Sequence, residues 1–589
     1  MPETPNQGSP APESQGDVHL KRIAWGLLLL PFLFLLWAAS GNNRAAWPDL
    51  LPREATVLTM AGSLIDEQDL QFTRLDFDRL LLAWRGDPPD LELATGSDGR
   101  RITYKYPAAY PVYLAPFLAF APERGIAFAN ILLLLAAAVL AARALAPRLG
   151  GWAPLLVLLW IFGSVAFAGV FRADGDVFLL SCCLLAASLW LAAAGKAAGR
   201  SALVAGLLLA PVFLAMPVAL LVLPLLILSA SGEKRGELAP RLVAGAALGA
   251  LLLVLVHWWN GGGLYFAATS SFKFTPATGY PTVDFPAEKW ADEVKLLAAQ
   301  HWDGAPRLSW GFEPRLLLWN VFYFLAGAQL GMLPYFLPLL LLLVLRPRPL
   351  AFVVLAYVAF LLLFQPFNFW SGPGPLGNRA LFPLYGAAIV VLPALRDRLG
   401  TPSRRAFLVA ALGLLLVAPF LFELWRSPGS WPFKNAAYDQ QTAIARGLLP
   451  HEASQRWLPS GAIEEIDGLF IAALDENTWV EKRNGRLGVD GNRAAFLVMG
   501  GRRLESLLIE LGEGAPNEVA VRGGRLGDRI LRPDGGIGFR VAPQVWRRHA
   551  MWFSPLPMYI YRLELELPPG GAEKTLFRLT PEWPAGELP

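Results

Sequence analysis

The chain has 589 residues, of which 54% are hydrophobic and 17% charged, and its mean hydropathy is +0.42. Soluble domains carry about 25% charged residues, so this composition excludes an ordinary soluble enzyme. The net charge is +4, but Lys and Arg fall in short clusters beside apolar runs, which is a membrane-orientation signal rather than a nucleic-acid footprint.

Residues 1–22 open with a stretch rich in Pro, Glu, Gln, Ser and Gly, which cannot bury a core and predicts a disordered cytoplasmic tail. The first apolar run, Ile23 to Ser40, lacks a small-residue cleavage site and is expected to be a signal anchor. Runs of the length a bilayer requires predict eleven spans: 23–40, 126–146, 152–170, 177–194, 202–215, 217–230, 242–258, 329–345, 349–365, 381–396 and 405–424. The two around Pro217 are short enough to form a single hairpin.

Cations test this order. Loops assigned to the inside carry Lys21/Arg22, Arg143/Arg148, Lys196/Arg200, Lys234/Arg235/Arg241, Arg346/Arg348 and Arg396/Arg398/Arg404/Arg405. The N-terminus is then cytoplasmic, and loops 41–125, 259–328 and 366–380, with everything after Trp425, lie outside. Ala108 to Ala121 and Leu316 to Leu325 are expected to be interfacial or re-entrant helices. Within 427–589, Leu563, Leu565 and Leu567 alternate with Arg562, Glu564 and Glu566. That period of two, repeated in short runs at 504–511, 518–521 and 538–541, predicts strands after an α/β linker. The expected fold class is a polytopic α-helical membrane protein with a C-terminal, extracytoplasmic, β-sandwich-like domain.

Candidate chemistry concentrates in the first external loop. It carries Asp49, Glu54, Asp66, Glu67, Asp69, Asp76 and Asp78. A carboxylate there can take a proton from an acceptor hydroxyl, hold a divalent cation, or simply solvate the loop. Lys105, Arg172 and Arg379 sit at expected external helix ends, against the positive-inside bias, where a lipid phosphate can accept their hydrogen bonds. Arg172 can equally pair with Asp174 or Asp176. Tyr104, Tyr106, Tyr110 and Tyr113 suit either sugar stacking or interfacial anchoring.

Pro52-Arg53-Glu54 through Leu64, running on to Asp69-Leu70, resembles the first-loop signature of GT-C class glycosyltransferases, which include the protein O-mannosyltransferases and the lipid A aminoarabinose transferases. Thr103-Tyr104-Lys105-Tyr106-Pro107 is similar to that class's Lys-Pro-Pro element, Arg172-Ala173-Asp174 to its Arg-Pro-Asp, and Trp370-Ser371-Gly372 through Asn378-Arg379 to Pro383 to a Trp-Gly-Gly…Arg-x-Leu-x-Pro loop. The resemblance covers most of residues 20–425 in order and spacing. It implies transfer of a sugar from a polyprenyl-phosphate donor to a glycan, lipid or protein acceptor at the bilayer. Glu54 would be the catalytic carboxylate, with Lys105, Arg172 and Arg379 on the donor phosphate and Asp66, Asp69 or Asp174 toward the acceptor or a divalent cation. One position departs: Arg53 stands where that class has its first acid.

The remaining signals exclude more than they assign. His19, His257, His301, His451 and His549 show no zinc-ligand spacing. No Gly-rich phosphate loop follows a strand, so no nucleotide cofactor is expected, in keeping with a lipid-linked donor. Cys182 and Cys183 are adjacent and cannot staple distant segments. A non-catalytic member of the same fold, a transporter or cell-envelope assembly subunit, is the rival reading. Nearly uncharged spans argue against ion-coupled transport.

Overall fold

A computed structural model describes residues 15–41, 50–83, 89–95, 102–193, 198–230, 232–259, 271–274, 314–327, 330–339, 348–364, 376–394, 402–426, 463–466, 469–473, 478–481, 486–500, 503–511, 518–531, 537–549, 558–568 and 574–584. The tail before Gln15, most of loop 259–328, Trp370 to Pro375 and the linker 427–462 lie outside the described residues.

Helix α1, Gln15–Ser40, begins inside the stretch whose composition predicts disorder, because the helix of the apolar run continues back through Asp17 to Arg22. Its buried residues Ala24, Leu28, Phe32, Leu35 and Ala39 recur at helical spacing. The opposite face shows Ile23, Leu30, Leu33 and Trp37, all about 60–70% exposed. A helix with an apolar outer face of this size suits lipid, not water. Helix α5, Gly125–Leu149, leads through a short turn into α6, Ala153–Phe162. Helix α7, Asp176–Ala193, is buried on nearly every side, and α8, Ala198–Ala215, packs against it. After α9, Val222–Ser229, comes α10, Gly232–Trp259. Helices α8 and α10 meet backbone to backbone: a Cβ on Gly206 would fall 2.1 Å from the Leu242 carbonyl oxygen, and one on Gly245 would fall 2.1 Å from that of Leu203. Small residues at such crossings allow the close approach that holds helices together in lipid.

Among the described residues, four stretches are long and apolar enough to cross a bilayer: Arg22–Ser40, Gly125–Phe162, Asp176–Ala193 and Lys234–Trp259. Six shorter apolar helices join them, including Pro349–Leu363 and Leu412–Phe422. This is the architecture of an integral membrane protein. Four expected spans differ in form. The run 217–230 opens with a 3-10 helix, Pro217–Leu221, before α9. The run 152–170 is helical only to Phe162; Gly163 ends it, and Ser164 Oγ accepts the Ala166 amide at 3.2 Å to start a 3-10 helix, Val165–Phe171. Within 329–345, Pro334 and Pro338 divide the chain into the short turns Met332–Tyr335 and Leu337–Leu339. The run 381–396 passes from an α-helix, Leu381–Ala387, to a 3-10 turn, Ala388–Val391.

Loop 41–125 forms a small lobe. Helices α2, Pro52–Asp66, and α3, Arg74–Ala83, precede a sheet of β1, Leu91–Thr95, and β2, Ile102–Tyr104; the surface helix α4, Ala109–Phe120, follows. Strand β3, Ser271–Phe274, comes from the second long loop and pairs antiparallel with β1, so the two loops share one sheet. Met60, Phe72, Phe77, Leu91, Leu93, Tyr104 and Phe274 fill its core. Phe72 meets Tyr104 and Phe274 edge to face at 5.9 and 5.7 Å.

From Ile463 onward, two six-stranded antiparallel sheets share one apolar core. Strand Met558–Glu566 lies in one sheet between strands Arg493–Gly500 and Ala520–Arg522. Its alternation turns Tyr561, Leu563 and Leu565 inward and leaves Arg562 outward. In the other sheet, strand Ser506–Leu511 pairs with strands Ile537–Pro543 and Lys574–Glu582. Phe496 of the first sheet meets Phe577 of the second at 5.7 Å.

Candidate functional site

Five ionic side chains from three distant stretches meet in the interior beside the N-terminus of α7. Glu54 comes from the first turn of α2, Arg172, Asp174 and Asp176 from the segment that opens α7, and Arg379 from the turn before Leu381–Ala387. All five are at most 3% exposed. Buried charges persist only when paired and hydrogen-bonded, and each of these is paired, although Arg172 Nη2 makes no hydrogen bond. Arg379 donates Nε and Nη2 to the two oxygens of Asp176 at 2.6 and 2.8 Å. Arg172 donates Nε to Asp174 at 2.6 Å, and its Nη2 stands 3.4 Å from Glu54. Glu54 also accepts the Ala173 amide at 3.1 Å and the Leu51 amide at 3.3 Å, which ties the start of α2 to the segment before α7.

Two local devices shape that segment. Gly175 has φ +81°, and a Cβ there would meet the Tyr110 ring at 3.1 Å. The Tyr110 hydroxyl donates to Asn130, whose amide donates to the carbonyls of Val170 and Arg172 at 3.1 and 2.9 Å. The Asp176 amide closes on Asp174 Oδ1 at 3.0 Å. Burial opposes ionisation of Asp174, but Arg172 and then Arg379 outweigh it and hold its carboxyl below the usual range.

A second group borders the first. On β1, Glu92 accepts Lys105 Nζ at 2.7 Å and a short hydrogen bond from the Tyr106 hydroxyl, while its amide donates to Thr56 of α2 at 2.7 Å. Burial works against its charged form, but Lys105 and Tyr106 prevail and lower its carboxyl. Arg53 lies 4.9 Å above the Tyr106 ring. Arg53, Tyr106 and Asp174 line a cavity of about 30 Å³ together with Val57, Phe178, Leu179 and Pro211.

Of the residues singled out in the sequence, Glu54, Arg172, Asp174 and Arg379 therefore come together. Lys105 is held to Glu92, and of these five only Asp174 lines the cavity. Asp66 and Asp69 lie elsewhere: Asp66 pairs with Arg79 at 2.9 Å, and Asp69 accepts Ser63 Oγ and the Gln71 amide, both at 3.0 Å. Among the described residues no group of three or more His, Cys, Asp or Glu is arranged to hold a metal ion. Sequence reasoning overlooked Glu92, although a Glu between two core leucines on a strand facing a Lys in the next was a usable sign. It set Arg53 aside as a departure, yet Arg53 lines the cavity.

The fold is a helical membrane body with a first-loop lobe and a carboxy-terminal pair of sheets. Among solved structures, the chain is similar to the arabinosyltransferase EmbB from Mycobacterium smegmatis, with 13% identity and a TM-score of 0.28 over 99% of this chain and 66% of that one. The chain thus spans just under two thirds of that protein's length. No family model and no curated protein matches the sequence.

Proposed function

We propose that the chain is an integral membrane glycosyltransferase of the GT-C kind, moving a sugar from a polyprenyl-phosphate donor to an extracytoplasmic glycan, lipid or protein. The observation that carries this reading is the meeting of α2, the segment opening α7 and the Arg379 turn around one ionic cluster, next to a cavity lined by both charged and apolar side chains. These are the stretches in which the GT-C resemblance lies. The cation pattern of the loops supports a cytoplasmic N-terminus, with the cluster and the two C-terminal sheets on the opposite face; the membrane is assigned as a bacterial inner membrane on the GT-C resemblance alone.

The geometry supports a division of roles. Asp174 is the carboxylate on the cavity wall, so it is assigned to the acceptor. The acceptor oxygen attacks the anomeric carbon as the bond from that carbon to the phosphate oxygen breaks; the electron pair leaves with the phosphate and the hydroxyl proton passes to Asp174. Glu54, with three donors around it, positions Arg172 and the Ala173 amide behind the wall. Arg172 and Arg379 hold the two aspartates in place, and their fixed charges act on the leaving phosphate through the cluster. Lys105, fixed by Glu92, stands at its edge. Asp66 and Asp69 shape the lobe.

One observation favours a second reading, a non-catalytic assembly protein of the same fold: Lys105, Arg172 and Arg379 each already have a carboxylate partner. Reconstituted vesicles separate the two. Radiolabelled prenyl-phosphate sugar should be consumed by the wild type, and Glu54→Gln and Asp174→Asn should both slow consumption. Donor that binds but is never consumed, with any acceptor class, selects the second reading.

A further inference from the structure

The turn that presents Arg379 is shaped by local chemistry. Gly377 has φ +87°, and a Cβ there would fall 2.7 Å from Val165 Cγ1 and 3.1 Å from the Phe336 ring, so the position requires glycine. Asn378 Oδ1 accepts the Ala380 amide at 2.9 Å, and the carbonyls of Asn378 and Arg379 accept the Leu381 and Phe382 amides at 3.0 and 3.1 Å. These bonds set the shape of the turn but not its place in the membrane body.

Polar contacts from other elements tie it down. Arg379 itself pairs with Asp176 at the start of α7. Another contact comes from Tyr357, fully buried near the middle of the helix Arg348–Phe364, whose hydroxyl donates to the Ala380 carbonyl at 2.5 Å. The same hydroxyl stands 3.9 Å from Met216 Sδ. Met216 directly follows Ala215, the last residue of α8 and part of the cavity lining. A hydroxyl carries one hydrogen, which the nearer carbonyl takes, and the thioether packs beside it. Tyr357 thus touches both the residue after Arg379 and the residue after the end of α8. With no water in that interior to replace the bond, its loss falls on the turn.

We infer that Tyr357 is a positioning residue for sugar transfer: its hydroxyl holds the Arg379 turn beside the end of α8, so that the Arg379–Asp176 pair keeps its geometry next to the cavity. This rests on the proposed function and brings into it the helix Arg348–Phe364, which carries none of the charged site residues. Tyr357 touches no reacting atom and acts through the turn. Fixed charges help a leaving group only if they need not reorganise as the bond breaks. A loosened turn therefore slows the chemical step and leaves donor binding largely intact.

Two readouts test this, one of them without catalysis. Hydrogen exchange of the full chain in detergent compares wild type with Tyr357→Phe, which removes the hydroxyl and keeps the ring. Exchange at the amides of Ala380, Leu381 and Phe382 should rise about tenfold while the amides of α5 stay as they are. Unchanged exchange in the turn overturns the inference, and so does a rise throughout the membrane body, which would mark a damaged fold. In vesicles with labelled prenyl-phosphate sugar, Tyr357→Phe should lower kcat about tenfold and leave the donor KM within about threefold of wild type. Tyr385→Phe removes an equally buried hydroxyl from the helix that follows the turn, one bonded to the Trp160 carbonyl. It should keep kcat within about threefold of wild type. Equal losses in the two variants would mark general packing and overturn the inference, as would a wild-type kcat in Tyr357→Phe. A wild type that consumes no donor rejects the enzyme reading, and the exchange result then decides alone whether Tyr357 holds the turn.

Discussion

Arg379 and Asp176, 203 residues apart, form a two-point ion pair in which both side chains are at most 3% exposed. The parallel bonds at 2.6 and 2.8 Å fix both the distance and the plane of the guanidinium. The loop before Leu381–Ala387 is thereby locked to the first turn of α7, and the cluster has a rigid floor.

Breaking that pair from one side strands a charge in the interior. Arg379→Ala or Asp176→Ala should each cost about 3–5 kcal/mol in stability. The double variant should cost less than the sum of the two, because it leaves no orphan charge. Denaturant unfolding in detergent, run as a double-mutant cycle, measures both quantities, and strict additivity would contradict the pairing.

Backbone conformation gives a second expectation. Gly175 sits at φ +81° against the Tyr110 ring. Gly175→Ala should destabilise the protein by about 1–3 kcal/mol and weaken donor binding, since the strain falls on the segment that carries Asp174 and Asp176. Thermal unfolding alongside donor titration checks it, and wild-type values in both would show that the turn tolerates a side chain.

The first-loop lobe should respond to pH. Asp76 is buried, and burial, with Glu67 nearby, pushes its carboxyl up from 3.8 to about 6 against the pull of the Thr73 amide and Arg79. In the folded chain the group holds a proton that the unfolded chain has already released. Its stabilising contribution is therefore complete below about pH 4 and is lost as pH rises toward about 6. Hydrogen-exchange protection of α3 should fall across that window, and Asp76→Asn should flatten the profile. An unchanged slope in the variant would remove Asp76 as the cause.

The carboxy-terminal sheets offer a packing test. Leu563 is fully buried between them, and Leu563→Ala should cost about 2–5 kcal/mol. Urea unfolding followed by tryptophan fluorescence would read the loss, and a change below about 0.5 kcal/mol would mean that the two inner faces are not in contact.

The long apolar helices and the strand alternation around Leu563 were legible because a period of 3.6 or 2 leaves its mark on the residues themselves. The 3-10 segment Val165–Phe171 was not, since an apolar run looks alike whether it spirals tightly or loosely; only Gly163 and Ser164 hinted at the break. The sheet joining β1 to β3 was hidden by separation: Leu91 and Phe274 pair although they belong to two different long loops. At the site, residue type indicated that Glu54, Arg172, Asp174 and Arg379 carry charge where charge is expensive. Which partner each would choose depended on tertiary approach, so Arg379 found Asp176, Arg172 found Asp174, and Lys105 was taken by Glu92. Arg53, a departure from the resemblance, proved to lie over the Tyr106 ring and to line the cavity, which its residue type did not indicate.

Sugar transfer from a labelled prenyl-phosphate donor by the full chain in vesicles, wild type against Asp174→Asn, tests the central claim most directly. The wild type should transfer label to acceptor, and the variant should be slower by about 100-fold or more, with donor affinity changed far less. Equal rates in the two proteins would contradict the assignment of the cluster and its cavity as the reaction site.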